Sequence, residues 1–243
     1  MFYTRARLES EVVRNYIGYL WWVLDPALSV CVYYVVFKLI LERGGPDYIQ
    51  FLAIGIIAWK WFATSVNKGA MSIFQQKKLI QKIYLPKIIF PHIDLNFHTV
   101  KFLAIFIPMV FVFALIGYPL SIYHLYLPVL IVCQFIFIIG LTTFLSSLTP
   151  FFPDTNFILS HILRLAFYPS GVLFDLRRVP EKYRWIIDIN PMAQAIQSYR
   201  DIIMHQMPPS YFGFLLLAGL GTVLYTIGFF IISKNEGNYA KLA

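Results

Sequence analysis

The sequence predicts an all-α membrane protein with six transmembrane helices. An N-terminal amphipathic helix at the interface, a cytoplasmic helix between the second and third spans, and external re-entrant helices before the last span complete the prediction. Three observations carry it. The 243-residue chain is 59% hydrophobic and 13% charged, with a mean hydropathy of +0.67, whereas soluble domains carry about 25% charged residues. Its apolar residues fall into runs of about 20, the length that crosses ~30 Å of hydrocarbon as a helix. Lysines collect in one loop, the pattern of a loop that resists translocation.

Each element follows in chain order. Over residues 4–17, Leu8, Val12 and Tyr16 recur every four residues while Arg7, Glu11 and Arg14 share another face, as in a helix lying on a membrane surface. Trp21 and Trp22 mark the interface, where indole rings prefer to sit. The expected spans are 23–41, 49–67, 98–117, 125–149, 156–174 and 211–233. Gly44, Gly45 and Pro46 make 42–48 a tight turn. Residues 77–86 form a short lysine-rich amphipathic helix closed by Pro86 and Pro91. Residues 175–209 combine nine charged side chains with apolar ones such as Ile186, Ile196 and Ile203, and we expect short amphipathic or re-entrant helices there.

The loops set the orientation. Residues 42–48 hold one Arg against Glu42 and Asp47, while 68–92 carries Lys68, Lys77, Lys78, Lys82 and Lys87 with no acid. The lysine loop and both termini are therefore expected on the cytoplasmic side of a multi-pass membrane protein. Arg5, Arg7, Glu9, Glu11 and Arg14 precede the first apolar run without a cleavable-leader pattern. The net charge of +8 is explained by positive loops and anionic lipids rather than nucleic acid. Cys31 and Cys133 lie within apolar runs as packing residues.

Several function classes lack their motifs. There is no GxxxxGK[ST] loop, HExxH, CxxC or GxSxG, and the five histidines have no metal-ligand spacing. No cofactor is expected on this chain, so any ATP and Mg must sit on a separate subunit.

Four stretches in order resemble the transmembrane subunits of bacterial polysaccharide ABC exporters, the family that exports O-antigen, capsule and teichoic acid. They are Arg14-Asn-Tyr16 through Asp25-Pro26 at the lead-in to the first span, the 79–91 segment, Phe167-Tyr-Pro-Ser-Gly-Val-Leu-Phe174, and Asn190-Pro191-Met192 followed by Tyr199-Arg200. The resemblance implies a homodimeric permease working with two copies of an ATP-binding cassette subunit. The 77–86 helix would be the coupling helix, with Lys78, Leu79, Ile80, Lys82, Ile83, Tyr84, Leu85 and Pro86 at the ATPase. A lipid on a membrane surface would account for the same amphipathicity.

Other sites follow from chemistry set beside that resemblance. Arg5, Arg7 and Arg14 lie where the pyrophosphate of a lipid-linked glycan would arrive, and arginine binds phosphate bidentately; anchoring to anionic lipids is the plainer reading. Arg164 is an ionisable residue inside a span, a costly placement that points to a cavity or partner. Tyr33, Phe37, Trp59, Phe62, Phe167 and Tyr168 could line a glycan channel, since flat rings stack on the C–H faces of sugars; facing lipid is the alternative. Residues 175–205, with Asn190, Pro191, Tyr199 and Arg200, would form an external gate. Two other functions stay open: an ABC permease for a small substrate such as a drug or lipid, and a membrane-embedded transferase built on Asp94, Asn96 and His98, whose i, i+2, i+4 spacing splits them between helix faces.

Overall fold

The computed structural model describes residues 18–81, 85–152 and 154–241. Among these, every regular element is helical. Helix α1 (Leu20–Tyr34) continues as a π-helix over Val35–Ile40, where the Leu41 N–H reaches back five residues to the Val36 carbonyl at 3.0 Å. After the turn comes α2 (Tyr48–Ala70), then two single turns, α3 (Ser72–Gln75) and α4 (Lys77–Ile80). Helix α5 spans Ile89–Leu115, and a 3₁₀ turn at Ile122–Tyr126 leads into α6 (Leu127–Leu148). Helix α7 (Thr155–Phe167) runs into a 3₁₀ turn at Tyr168–Ser170. A 3₁₀ turn at Leu176–Arg178, then α8 (Glu181–Asp188), α9 (Pro191–Ile203), α10 (Tyr211–Lys234) and α11 (Glu236–Lys241) complete the order.

Among the described residues, five helical segments are long and apolar enough to cross a membrane: Leu20–Ile40, Tyr48–Ala70, Ile89–Leu115, Ile122–Leu148 and Tyr211–Lys234. The expected fifth span, 156–174, is a shorter piece. It ends at Ser170 because Gly171 adopts φ +68°, a conformation glycine enters without Cβ strain. A side chain there would also collide with Leu176, 2.4 Å from the position of a Cβ. The chain thus turns sharply into the 175–205 segment, whose expected short helices are α8 and α9. The third span starts earlier than expected, at Ile89 rather than 98, because Pro91 falls in its first turn, where the missing N–H has no intrahelical partner to lose.

Helix α2 is the hub. It packs against α1, α5, α6, α7 and α9 and is buried along most of its length, with Leu52, Ile54, Ala58 and Val66 fully enclosed. Helices α6 and α10 pack backbone to backbone: a Cβ on Gly140 would sit 2.0 Å from the Gly221 carbonyl oxygen, and one on Gly228 would sit 2.6 Å from the Phe144 nitrogen. Small residues at such seams let backbones touch, which is how helices gain dispersion energy where lipid removes the hydrophobic drive. Leu28, Val32, Leu39 and Ile40 leave α1 largely exposed, as a lipid-facing or subunit-facing helix would be.

Candidate functional site

At the end of the bundle that carries the 42–47 turn, α9 is set by local chemistry. Asn190 caps it, accepting from the N–H groups of Met192 (3.0 Å) and Ala193 (3.3 Å), and Pro191 occupies the first helical position, where no N–H is needed. The Asn190 amide also donates to Ser170 Oγ at 3.3 Å, joining the start of α9 to the end of α7. Asn-Pro is thus a helix-start signal as well as part of the expected gate. Near the other end of α9, Arg177 forms an ion pair with Asp201, whose carboxylate also accepts from Gln197 at 2.9 Å.

Tyr199 and Arg200, expected at the gate, are fully buried. Arg200 sends its guanidinium across the bundle to three backbone carbonyls. Nη1 donates to Gly171 (2.6 Å), Nη2 to Val172 (2.9 Å) and Phe51 (3.1 Å), and Nε again to Phe51 (3.3 Å). Its carbon lies 3.3 Å from the centre of the Phe51 ring, so cation–π attraction adds to the hydrogen bonds. Gly55 leaves the room, since a Cβ there would stand 2.7 Å from Nη2. The fork matters here, because only a planar guanidinium reaches three acceptors in one plane. Tyr199 donates to Gln134 at 2.9 Å, and Gln134 donates to the Ala58 carbonyl at 3.2 Å. This fully buried α2–α6–α9 link was missed in the sequence, where a lone Gln inside an apolar run was the available signal.

The six expected channel aromatics are brought together in one connected chain. Phe37 meets Tyr33 (6.5 Å between ring centres), Tyr33 stacks on Phe167 (5.6 Å), and Phe167 contacts both Trp59 (5.7 Å) and Tyr168 (5.6 Å). Trp59 in turn touches Phe62 at 5.3 Å. Trp59 and Phe62 face into the core, whereas Tyr33, Phe37 and Phe167 are half-buried and Tyr168 is exposed. Arg164 projects from the open face of α7 beside exposed Ile162 and Leu165, and makes no ion pair among the described residues.

The opposite end carries the expected coupling segment. Among the described residues its helix is confined to Lys77–Ile80, with Leu85 and Pro86 outside any helix. Ile80 is buried with Ile73, Phe90, Ile232 and Tyr239, and Leu79 and Leu85 pack against that cluster. Ile80 therefore points into the permease, anchoring the segment to the ends of α10 and α11 instead of offering an outer surface. Tyr239 donates to the Ser147 carbonyl at 2.9 Å, and burial pushes its hydroxyl up to about 12, so it stays a donor. Lys87 is buried against Glu236 at 3.6 Å, so one charge of the lysine loop is matched by an acid from the far end of the chain. Arg5, Arg7, Arg14, Lys82, Ile83, Tyr84 and the 4–17 helix lie outside the described residues, as does the side chain of Lys78.

One further pair went unread in the sequence. Lys60, midway along α2, contacts the Asp25 carboxylate at 2.7 Å and donates to the Asp25 carbonyl at 2.9 Å, pinning α1 to α2. The pair borders a cavity of about 370 Å³ with Trp21, Trp22, His98 and Lys101. A lysine inside a span was the signal to follow. The Asp94, Asn96 and His98 triad does not assemble: Asp94 is buried and Asn96 exposed.

Residues 6–204 match the family model described as ABC-2 type transporter. An O-antigen export system permease, RfbA of Klebsiella pneumoniae, is 31% identical over 98% of this chain and 92% of its own length. RfbA of Myxococcus xanthus is 26% identical over the same shares, and the polysialic acid transport protein KpsM of Escherichia coli is 21% identical over 77% of this chain and 74% of its own. With a bundle of membrane-length helices and this match, the chain belongs to the ABC-2 type transporter family, as a transport subunit and not an enzyme, with ATP hydrolysis left to a separate subunit.

Proposed function

We propose that this chain is the permease subunit of an ATP-driven exporter that moves a polyprenyl-pyrophosphate-linked polysaccharide across the inner membrane. The observation that carries the substrate class is the similarity to O-antigen export permeases along 98% of the chain. The connected aromatic chain on α1, α2 and α7 supports it, because sugars slide over flat rings with little directional cost. Two copies of the permease pair with two ATP-binding subunits that hold ATP and Mg. The exposed faces of α1 and α7 are the candidates for the seam between copies: an Arg164 facing lipid would be costly, whereas a polar path or a second copy would receive it.

The reading includes six crossings, with α7 and its 3₁₀ turn as the fifth. Asn67 donates to Ser160 at 2.9 Å near one end of α2, and Tyr48 donates to the Leu173 carbonyl at 2.9 Å at the other. The nineteen-residue separation between those α2 positions is roughly 28 Å at 1.5 Å per residue, close to the ~30 Å hydrocarbon thickness. Both termini and the lysine loop then share the cytoplasmic side, and α8 and α9 form an external gate. ATP binding closes the partner and displaces the 77–86 segment, and Ile80 passes the push to α10 and α11.

Deleting the gene and tracing lipid-linked glycan and surface polysaccharide in the same cells tests the function. Loss of surface polymer with finished lipid-linked chains trapped inside is expected; unchanged surface polymer would overturn the polysaccharide reading in favour of a small-substrate permease. Changing Ile83 and Tyr84 together to Asp is expected to cut export at least tenfold with membrane insertion intact. Export at the wild-type rate and protein level would remove the coupling role.

A further inference from the structure

We propose that the cavity beside the 42–47 turn is a subsite for sugar rings of the exported glycan, at the external mouth of the permease; this rests on the export reading above. The cavity holds about 980 Å³ between the 42–48 turn and residues 168–180, at the upper end of the ~300–1,000 Å³ usual for ligand pockets. It has space for several linked rings.

Its lining combines the two chemistries a polyol needs. Phe37, Tyr168 and Phe174 offer ring faces on which the C–H side of a pyranose can stack. Glu42, Arg43 and Arg178 supply acceptors and donors in planar pairs, which match the vicinal hydroxyls of a sugar. These three side chains make no ion pair among the described residues, so their hydrogen-bonding capacity is available to a ligand. The charge balance argues against an anion. Three carboxylates, Glu42, Asp47 and Asp175, line the cavity against two guanidinium groups. With the Lys38 ammonium held on the turn, the charges balance three against three, so the cavity offers a phosphate or pyrophosphate no net attraction and the neutral part of the substrate is the part that fits.

The walls are held in place before any ligand arrives, which lowers the ordering cost of binding. On one side Lys38 Nζ donates to the carbonyls of Gly44 (3.0 Å) and Gly45 (3.1 Å), and the π-helix brings Lys38 and Phe37 to the turn together. Single π turns concentrate at functional sites. Burial and a hydrogen bond to Asp47 push the Tyr118 hydroxyl up to about 12, so it remains a proton donor to that carboxylate. On the other side Arg200 fixes the carbonyls of Gly171 and Val172, and Tyr48 holds Leu173. A sugar seated here would contact Leu173 and Phe174, next in the chain to the segment that Arg200 secures.

The test uses the full permease–ATPase complex in nanodiscs, with phosphate-free oligosaccharides of a few repeats released from the cell's own surface polysaccharide. Binding is followed by saturation-transfer NMR in the wild type and in the Tyr168→Ala/Arg178→Met double variant, both positions being exposed and outside the packed core. We expect at least a tenfold loss of affinity in the variant and no competition from inorganic pyrophosphate. Equal affinity in both proteins, no binding to the wild type, or displacement by pyrophosphate would each overturn the subsite. Complementing the deletion strain separates this from the export reading. Surface polymer restored by the wild type alongside equal binding removes the subsite and leaves export standing. Surface polymer that never depended on the gene removes export and, with it, the subsite's role.

Discussion

An Arg200→Met permease is expected to lose export and to melt well below the wild type. Methionine keeps much of the side-chain volume but leaves the carbonyls of Phe51, Gly171 and Val172 without their donor. The Phe51 carbonyl keeps its intrahelical partner within α2, so two carbonyls go unsatisfied; at about 1–3 kcal/mol each they cost at least about 2 kcal/mol, a large share of a ~5–15 kcal/mol net stability. Water cannot replace the donor cheaply at this position, since Arg200 is fully enclosed. Arg200→Lys should recover only part of the loss, because a point-like ammonium cannot serve three acceptors as a planar fork does. Heating purified permease and measuring the monodisperse fraction gives the stability, and the surface-polymer assay gives the export. Wild-type values for Arg200→Met in both would show that the latch is dispensable.

A Gly140→Val permease is expected to fail at the α6–α10 seam, with little folded protein recovered from the membrane. The added Cβ would lie 2.0 Å from the Gly221 carbonyl oxygen and 2.7 Å from its carbon, distances that only a separation of the two helices can relieve. Overpacking usually costs about 1–3 kcal/mol; here the obstruction is backbone, which cannot rotate away, so the upper end or beyond is expected. Gly219→Val is the matched control. It lies on α10 with nothing within 4 Å of its Cβ position and should leave expression and melting unchanged. A Gly140→Val protein that melts like that control would show that the helices are not held this closely.

How far the fold was legible can be argued from particular elements. The spans at 23–41, 49–67, 125–149 and 211–233 match helices to within a few residues, because apolar length is a one-dimensional property. The 156–174 stretch reads as equally apolar, but its helix stops at Ser170. The reason is the left-handed turn at Gly171, whose space is set by Leu176 packing back on it. In the gate, Asn190-Pro191 was picked out by resemblance, and the structure shows it also to be a cap, with Asn190 accepting from the first turn of α9. The burial of Arg200 was not legible: two of its three acceptors lie at least 28 residues earlier, and the third, Phe51, lies 149 residues away.

The same division runs through the candidate site. Residue types and spacing mark the aromatics on α1, α2 and α7, yet nothing in the spacing shows that Trp59 and Phe62 turn inwards while Tyr168 faces out. Lysine counts identify the 68–92 loop, but not that Lys87 is matched by Glu236 from the far end of the chain. Apolar run length, charge bias and cap residues are properties of contiguous sequence, so they specify a membrane bundle and its punctuation. The Arg200 latch, the Gln134 link and the walls of the sugar cavity join groups far apart along the chain, and they arise only when α2, α6 and α9 pack together, because hydrogen bonds and ring contacts form between atoms a few ångströms apart in space.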